Sequence, residues 1–135
     1  MNTNVSILCR LGIVLLLLSA CSRQVSEARI AGKYTADYGF AHEILELRND
    51  HTFHQEVKMT STGKTISAEG TWRFDGKHSD LYFSDDFLVV ADGFGKLIPD
   101  FDRPAKKAIA VLPIRSRWGH LEIAGDPAVT YKRAD

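Results

Sequence analysis

Hydrophobic residues recur at every second position through most of the chain after Ile30, and this alternation constrains the fold more than any other feature. The clearest run is Ile66 to Phe74. Ile66, Ala68, Gly70, Trp72 and Phe74 share one face, while Ser67, Glu69, Thr71 and Arg73 share the other. Successive side chains of a strand point to opposite faces, so the pattern predicts a strand with one side buried. Phe53, Val57 and Met59 alternate in the same way with Thr52, His54, Glu56 and Lys58. Leu45 and Leu47 oppose Glu46 and Arg48, Leu121 and Ile123 alternate with His120 and Glu122, and Val129 and Tyr131 close the pattern. Between the runs lie Arg48-Asn49-Asp50-His51, Ser61-Thr62-Gly63-Lys64 and Asp75-Gly76-Lys77-His78. Each contains Gly, Asn or Asp, the residues that tolerate the left-handed backbone of tight turns.

Strands are therefore expected near 30–36, 42–48, 52–59, 65–74, 79–84, 86–91, 107–114, 119–124 and 128–133. Their short connections suggest an antiparallel meander. No stretch of this region has a convincing helical period, although 37–41 can hold a short turn. A sheet of about eight or nine strands with one apolar face and no helix to cover it should curl and close, which also removes its exposed edges. The expected fold is all-β, a small antiparallel up-and-down barrel, with a sandwich as second choice. By parity Tyr34, Phe53, Trp72 and Phe74 point inward, which favours a filled barrel.

Gly32-Lys33-Tyr34, then Leu45 to Phe53, then Gly70-Thr71-Trp72 resembles the opening of lipocalin-like and related small envelope barrels. The resemblance covers residues 32–72. It implies a barrel fold, with glycine where strands bend and aromatics filling the interior, and it carries no catalytic residue.

The N-terminus has a different character. Residues 1–9 hold no charged side chain, Arg10 supplies a cation, and Leu11 to Leu18 is an unbroken apolar run ending at Ser19-Ala20. Charge, apolar stretch and small residues in this order form an export signal. The run is about half of the roughly 20 apolar residues a membrane-spanning helix needs. Leu18-Ser19-Ala20-Cys21 resembles the lipobox of bacterial lipoproteins. That resemblance implies cleavage between Ala20 and Cys21, diacylglycerol on the Cys21 sulfur, and an acylated new amino terminus that holds the protein on the lipid bilayer. Ser22 in place of an aspartate leans towards the outer membrane, facing the periplasm. The expected organisation is a signal peptide at 1–20, a lipidated polar tether at 21–29 and a β-barrel domain at 30–135. Cys9 leaves with the leader and Cys21 is taken by lipid, so the mature domain has no thiol pair for a disulfide or a cysteine metal site.

About 115 residues then remain, enough for one modest core. The chain has 17 basic and 17 acidic residues, and loss of Arg10 barely disturbs that balance. A basic footprint for nucleic acid is absent. Among the five histidines, His51 and His54 lie three apart beside Asp50. On a strand that spacing puts them on opposite faces, and no third ligand is fixed. His42 and His120 read as surface residues. Asp80, Asp85, Asp86, Asp92, Asp100 and Asp102 are denser, yet most sit where turns are expected and lack EF-hand spacing. Neither a Gly-x-Ser-x-Gly nucleophile motif nor a phosphate-binding glycine loop occurs. The reading is of no enzyme, no cofactor and no metal.

The meander breaks at 91–104, a long Gly- and Pro-containing connection that also carries Phe94, Leu97, Ile98 and Phe101. Long loops in compact domains are often functional. Two readings stand: a lid whose apolar residues fill the barrel mouth, and a binding loop that presents those four residues to a ligand or partner. The segment 108–112 is apolar on both faces, and Pro113 suits an edge strand or a bulge. The function expected is that of a membrane-anchored, non-enzymatic binding module of the bacterial envelope, taking a small apolar ligand or a partner protein. The alternative is a periplasmic immunity or inhibitor lipoprotein that blocks a toxin or hydrolase. A structural or stress-sensing lipoprotein is a third class.

Overall fold

A computed structural model describes residues 25–84, 86–102, 110–125 and 129–134. The alternating runs form eight strands: β1 (Gly32–Asp37), β2 (Ala41–Leu47), β3 (Thr52–Met59), β4 (Thr65–Asp75), β5 (Asp80–Phe83), β6 (Ala110–Arg117), β7 (His120–Ala124) and β8 (Thr130–Arg133). Each pairs antiparallel with the next in sequence, and β8 returns to pair with β1 through Tyr34↔Arg133 and Thr35↔Lys132. The result is a closed up-and-down barrel of the small lipocalin-like kind, as the alternation predicts.

Tyr34, Leu45, Leu47, Phe53, Trp72, Leu81, Phe83, Ile114, Leu121 and Ile123 all point inward and are buried. Phe74 packs against this core from its margin. Phe53, Phe83 and Phe87 form an aromatic group with ring centroids 4.4 to 5.7 Å apart. The outward positions carry Glu46, Glu56, Lys58, Glu69 and Arg73. A barrel that spans a membrane has the reverse arrangement, apolar outside. Among the described residues no helix is long and apolar enough to cross a membrane.

β4 turns the corner of the barrel. Its first part pairs with β3 and its second with β5. At the switch, Gly70 lies so close to its neighbours that a Cβ would overlap Ser84 Oγ and sit 2.7 Å from Phe53 Cε1. The glycine of the Gly-Thr-Trp triplet is thus a packing requirement.

Two expectations are corrected. The run 86–91 is not a ninth strand; only Ala91 makes an isolated bridge, to Leu97. Its apolar residues are consumed differently, with Phe87 and Val90 buried and Val89 exposed, and the backbone of Leu88 is satisfied by a side chain instead of a ladder. Pro113 does not lie on an edge, because β6 is paired on both flanks. Ile114 donates its N–H towards β5, to Ser79 O, so the nitrogen of Pro113 faces β7. There the β6–β7 ladder stops at Ile114↔Ile123, and the missing donor falls where pairing has ended.

The segment expected to be a polar tether is, from Val25 onward, part of the domain. Val25 and Ile30 are buried in the main core, and Glu27–Arg29 forms a 3-10 turn across one end of the barrel. Tyr34 Oη donates to Ile30 O at 2.6 Å, Arg29 donates to Gly119 O at 3.1 Å, and the Arg133 guanidinium donates to the carbonyls of Arg29 and Ala31. These carbonyls and the buried Ile30 make the segment a plug.

Candidate functional site at the lid end

The opposite end holds the β1–β2, β3–β4 and β7–β8 turns and the long β5–β6 connection. The connection folds over the barrel mouth. Val90 is buried against Ala41 and Val57, and Leu88 and Phe101 pack against the same small cluster with Tyr38, Phe40 and Met59. Lys64 ties the far part of the loop to the β3–β4 turn through Asp102, at 2.9 Å.

One side chain latches this lid. Gln55 lies at an inward position of β3 and is fully buried. Its Oε1 accepts from Leu88 N at 2.8 Å, and its Nε2 donates to Leu88 O at 2.9 Å. The same Nε2 donates to Glu43 Oε1 at 2.6 Å. Glu43, inward on β2 and also buried, accepts from Tyr131 Oη at 3.0 Å on Oε1 and from Tyr38 Oη at 2.8 Å on Oε2. The two phenol oxygens are 3.1 Å apart.

Burial pushes the Glu43 carboxyl up to about 7, against the opposing pull of the Gln55, Tyr38 and Tyr131 hydrogen bonds. Burial likewise raises the Tyr131 hydroxyl, helped by the negative charge of Glu43. The neutral acid suits the geometry better than the ion. When Glu43 is protonated on Oε2 the bond to Tyr38 reverses: Glu43 donates to Tyr38, Tyr38 to Tyr131, and Tyr131 to Oε1, which closes a ring. With Glu43 ionised both phenols must donate to it, and no proton is left between their oxygens.

Above this ring lies a cavity of about 130 Å³, lined by Tyr38, Phe87, Leu88, Ala110, Leu112 and Tyr131 among others. Sites for drug-sized molecules run to about 300–1,000 Å³. The space falls below that range and is of the size that takes a single small ring.

The four loop residues singled out by sequence separate into two pairs. Phe101 and Ile98 are half-buried, Phe101 against the lid cluster and Ile98 held by its N–H to Val90 O at 3.0 Å. Phe94 is 86% exposed and Leu97 40% exposed. Both belong to a short hairpin that starts at the Ala91↔Leu97 bridge. Asp92 braces its tip: Oδ1 accepts from Phe94 N and Lys96 N, each at 2.9 Å, and Gly95 N donates to Asp92 O. These amides hold the Asp92 carboxyl below its usual range. Lid and presenting loop are therefore different parts of one segment.

The remaining candidates lie apart. His51 sits in the β2–β3 turn against the Trp72 ring, 4.9 Å between centroids, and pairs with Glu27 at 3.3 Å. His54 pairs with Glu69 on the outer wall at 3.2 Å. Among the described residues no three His, Cys, Asp or Glu side chains are placed to hold a metal. Asp85, Ala20 and Cys21 lie outside the described residues. The alternation does contain a sign of Glu43 and Gln55, since both occupy inward parity, between Ala41 and Leu45 and between Phe53 and Val57. A polar residue at such a position must find buried partners. No family model matches the chain, and neither does any curated protein or solved structure.

Proposed function

We propose that this chain is a lipid-anchored protein of the bacterial envelope, a non-enzymatic binding module that meets a partner protein at the lid end of its barrel. The observation that carries the reading is Phe94, 86% exposed at the tip of a hairpin braced by Asp92. A stiff loop loses little freedom on binding, so an aromatic on it makes an efficient anchor. The packed interior and the cavity of about 130 Å³ weigh against a carrier of apolar ligands. An immunity or inhibitor lipoprotein is one form of this reading; both need the same surface. The anchor rests on the lipobox at Leu18-Ser19-Ala20-Cys21.

Two measurements test the halves separately. Cys21→Ser should abolish incorporation of labelled palmitate; retained label refutes the anchor. A photo-crosslinking residue at position 94 or 97 in living cells should give one discrete protein adduct. The same probe at Val111, exposed on the barrel wall, should give none. Absence of an adduct from 94 and 97 refutes the binding surface.

A further inference from the structure

The plugged end of the barrel carries a second exposed aromatic. β6 and β7 are joined by Trp118-Gly119, between the paired residues Arg117 and His120. Both turn residues have left-handed backbones, φ 53° at Trp118 and 86° at Gly119. Such two-residue turns favour Asn, Asp or Gly at both positions, and a bulky side chain there is strained. Trp118 is nonetheless in place and 91% exposed. The fold gains no core burial from it.

Its surroundings are cationic. Arg117 and Lys132 are exposed and share a shallow cleft with Trp118, and Arg133 lines the same cleft. Arg29 reaches the turn from the plug through its bond to Gly119 O. Arg29 and Arg133 spend their hydrogen bonds on neutral carbonyls, which fix their positions and leave their charge. Of the acids nearby, Glu122 is paired with Arg115 at 3.5 Å, and Glu27 lies 3.3 Å from His51, so the four cations of this face outnumber the one acid, Glu27, that has no Lys or Arg partner among the described residues.

Chain length adds a distance. Val25 is buried at this end, and Cys21 is four residues before it. A chain spans at most about 3.6 Å per residue, so the Cys21 sulfur lies within roughly 15–20 Å of the plug once its side chain is included. A lipid on that sulfur brings the plugged end, not the lid, to the bilayer.

We propose that the plugged end is a membrane-docking face, with Trp118 entering the bilayer interface and Arg29, Arg117, Lys132 and Arg133 against anionic headgroups. Indole rings favour the headgroup level, and each Lys or Arg near an anionic surface contributes a comparable electrostatic gain. The inference rests on the Cys21 lipidation reading for its distance, and it leaves the lid end facing away from the membrane.

The test uses the mature lipidated protein in phosphatidylethanolamine vesicles with and without phosphatidylglycerol. The chain has two tryptophans, and Trp72 is buried, so subtracting the emission of Trp118→Phe from that of the unaltered protein isolates Trp118. Brominated acyl chains should quench most of that emission while aqueous iodide quenches little. Removing phosphatidylglycerol, or substituting Arg117→Gln with Lys132→Gln, should reverse the balance. Trp118 emission open to iodide and untouched by brominated lipid overturns the proposal and leaves the face to a protein partner. The palmitate label on the same preparation reports the anchor independently: labelled protein with an unquenched Trp118 sinks the docking face alone, and unlabelled protein sinks the anchor.

Discussion

Glu43 is the residue whose chemistry differs most from its behaviour in water. Its carboxyl is raised from 4.5 to about 7 by burial. The folded protein therefore holds a proton that the unfolded chain releases above about pH 4.5. The stabilisation from the neutral ring is fully present below that pH and is lost as pH rises through about 7. The loss amounts to about 3 kcal/mol, from the width of the interval at 1.36 kcal/mol per pH unit. Denaturation midpoints should be higher at pH 5 than at pH 8. Glu43→Gln should flatten this slope, because its amide keeps an acceptor for Gln55 and Tyr131 and a donor for Tyr38 without ionising. A slope unchanged in the variant would place the titration elsewhere.

At the scale of elements, the lid is held by a few specific links. Gln55 satisfies both backbone groups of Leu88, and Gln55→Ala leaves those two groups without a buried partner and removes one of the three hydrogen bonds at Glu43. Each such group costs about 1–3 kcal/mol. Amide exchange in 86–92 should accelerate strongly in Gln55→Ala, while β2–β3 amides should keep protection well above it. Equal acceleration everywhere would show that Gln55 serves the barrel core and not the lid. The strands themselves were legible because Trp72, Phe53 and Leu45 sit at strict period two, and that period survives packing. The 86–91 run was not legible as loop. Its composition is that of a strand, and what decides its conformation is a side chain 33 residues away in sequence. The plug was hidden for a related reason: Ser26, Glu27 and Arg29 look like solvated linker, and only contacts with Gly119 and Arg133 reveal that Ile30 closes the barrel. Of the candidate binding residues, the sequence marks the loop but does not separate exposed Phe94 from packed Phe101.

The whole molecule is a barrel closed at both ends by different devices, a short plug and a long lid. The plug belongs to the stable core. Ile30→Ala should cost about 2–5 kcal/mol, as expected of a fully buried aliphatic side chain. Urea unfolding checks this, and a loss under 1 kcal/mol would show that Ile30 and the turn before it add nothing to the core. The two ends also face different tasks in the proposed orientation, one towards lipid and the other towards a partner.

β8 has only four residues, yet it does three separate jobs. It completes the seam with β1, its Tyr131 closes the hydrogen-bonded ring with Glu43, and its Arg133 brackets the carbonyls of the plug. The side-chain contacts join residues 88 to 104 positions apart, so they close some of the longest loops among the described residues and carry a correspondingly large closure cost. Until then β1 and β7 are open edges able to pair with other chains. A chain whose β8 has not yet docked is in an adhesive, half-sealed state. Docking of β8 closes the wall and ties it to both ends of the barrel.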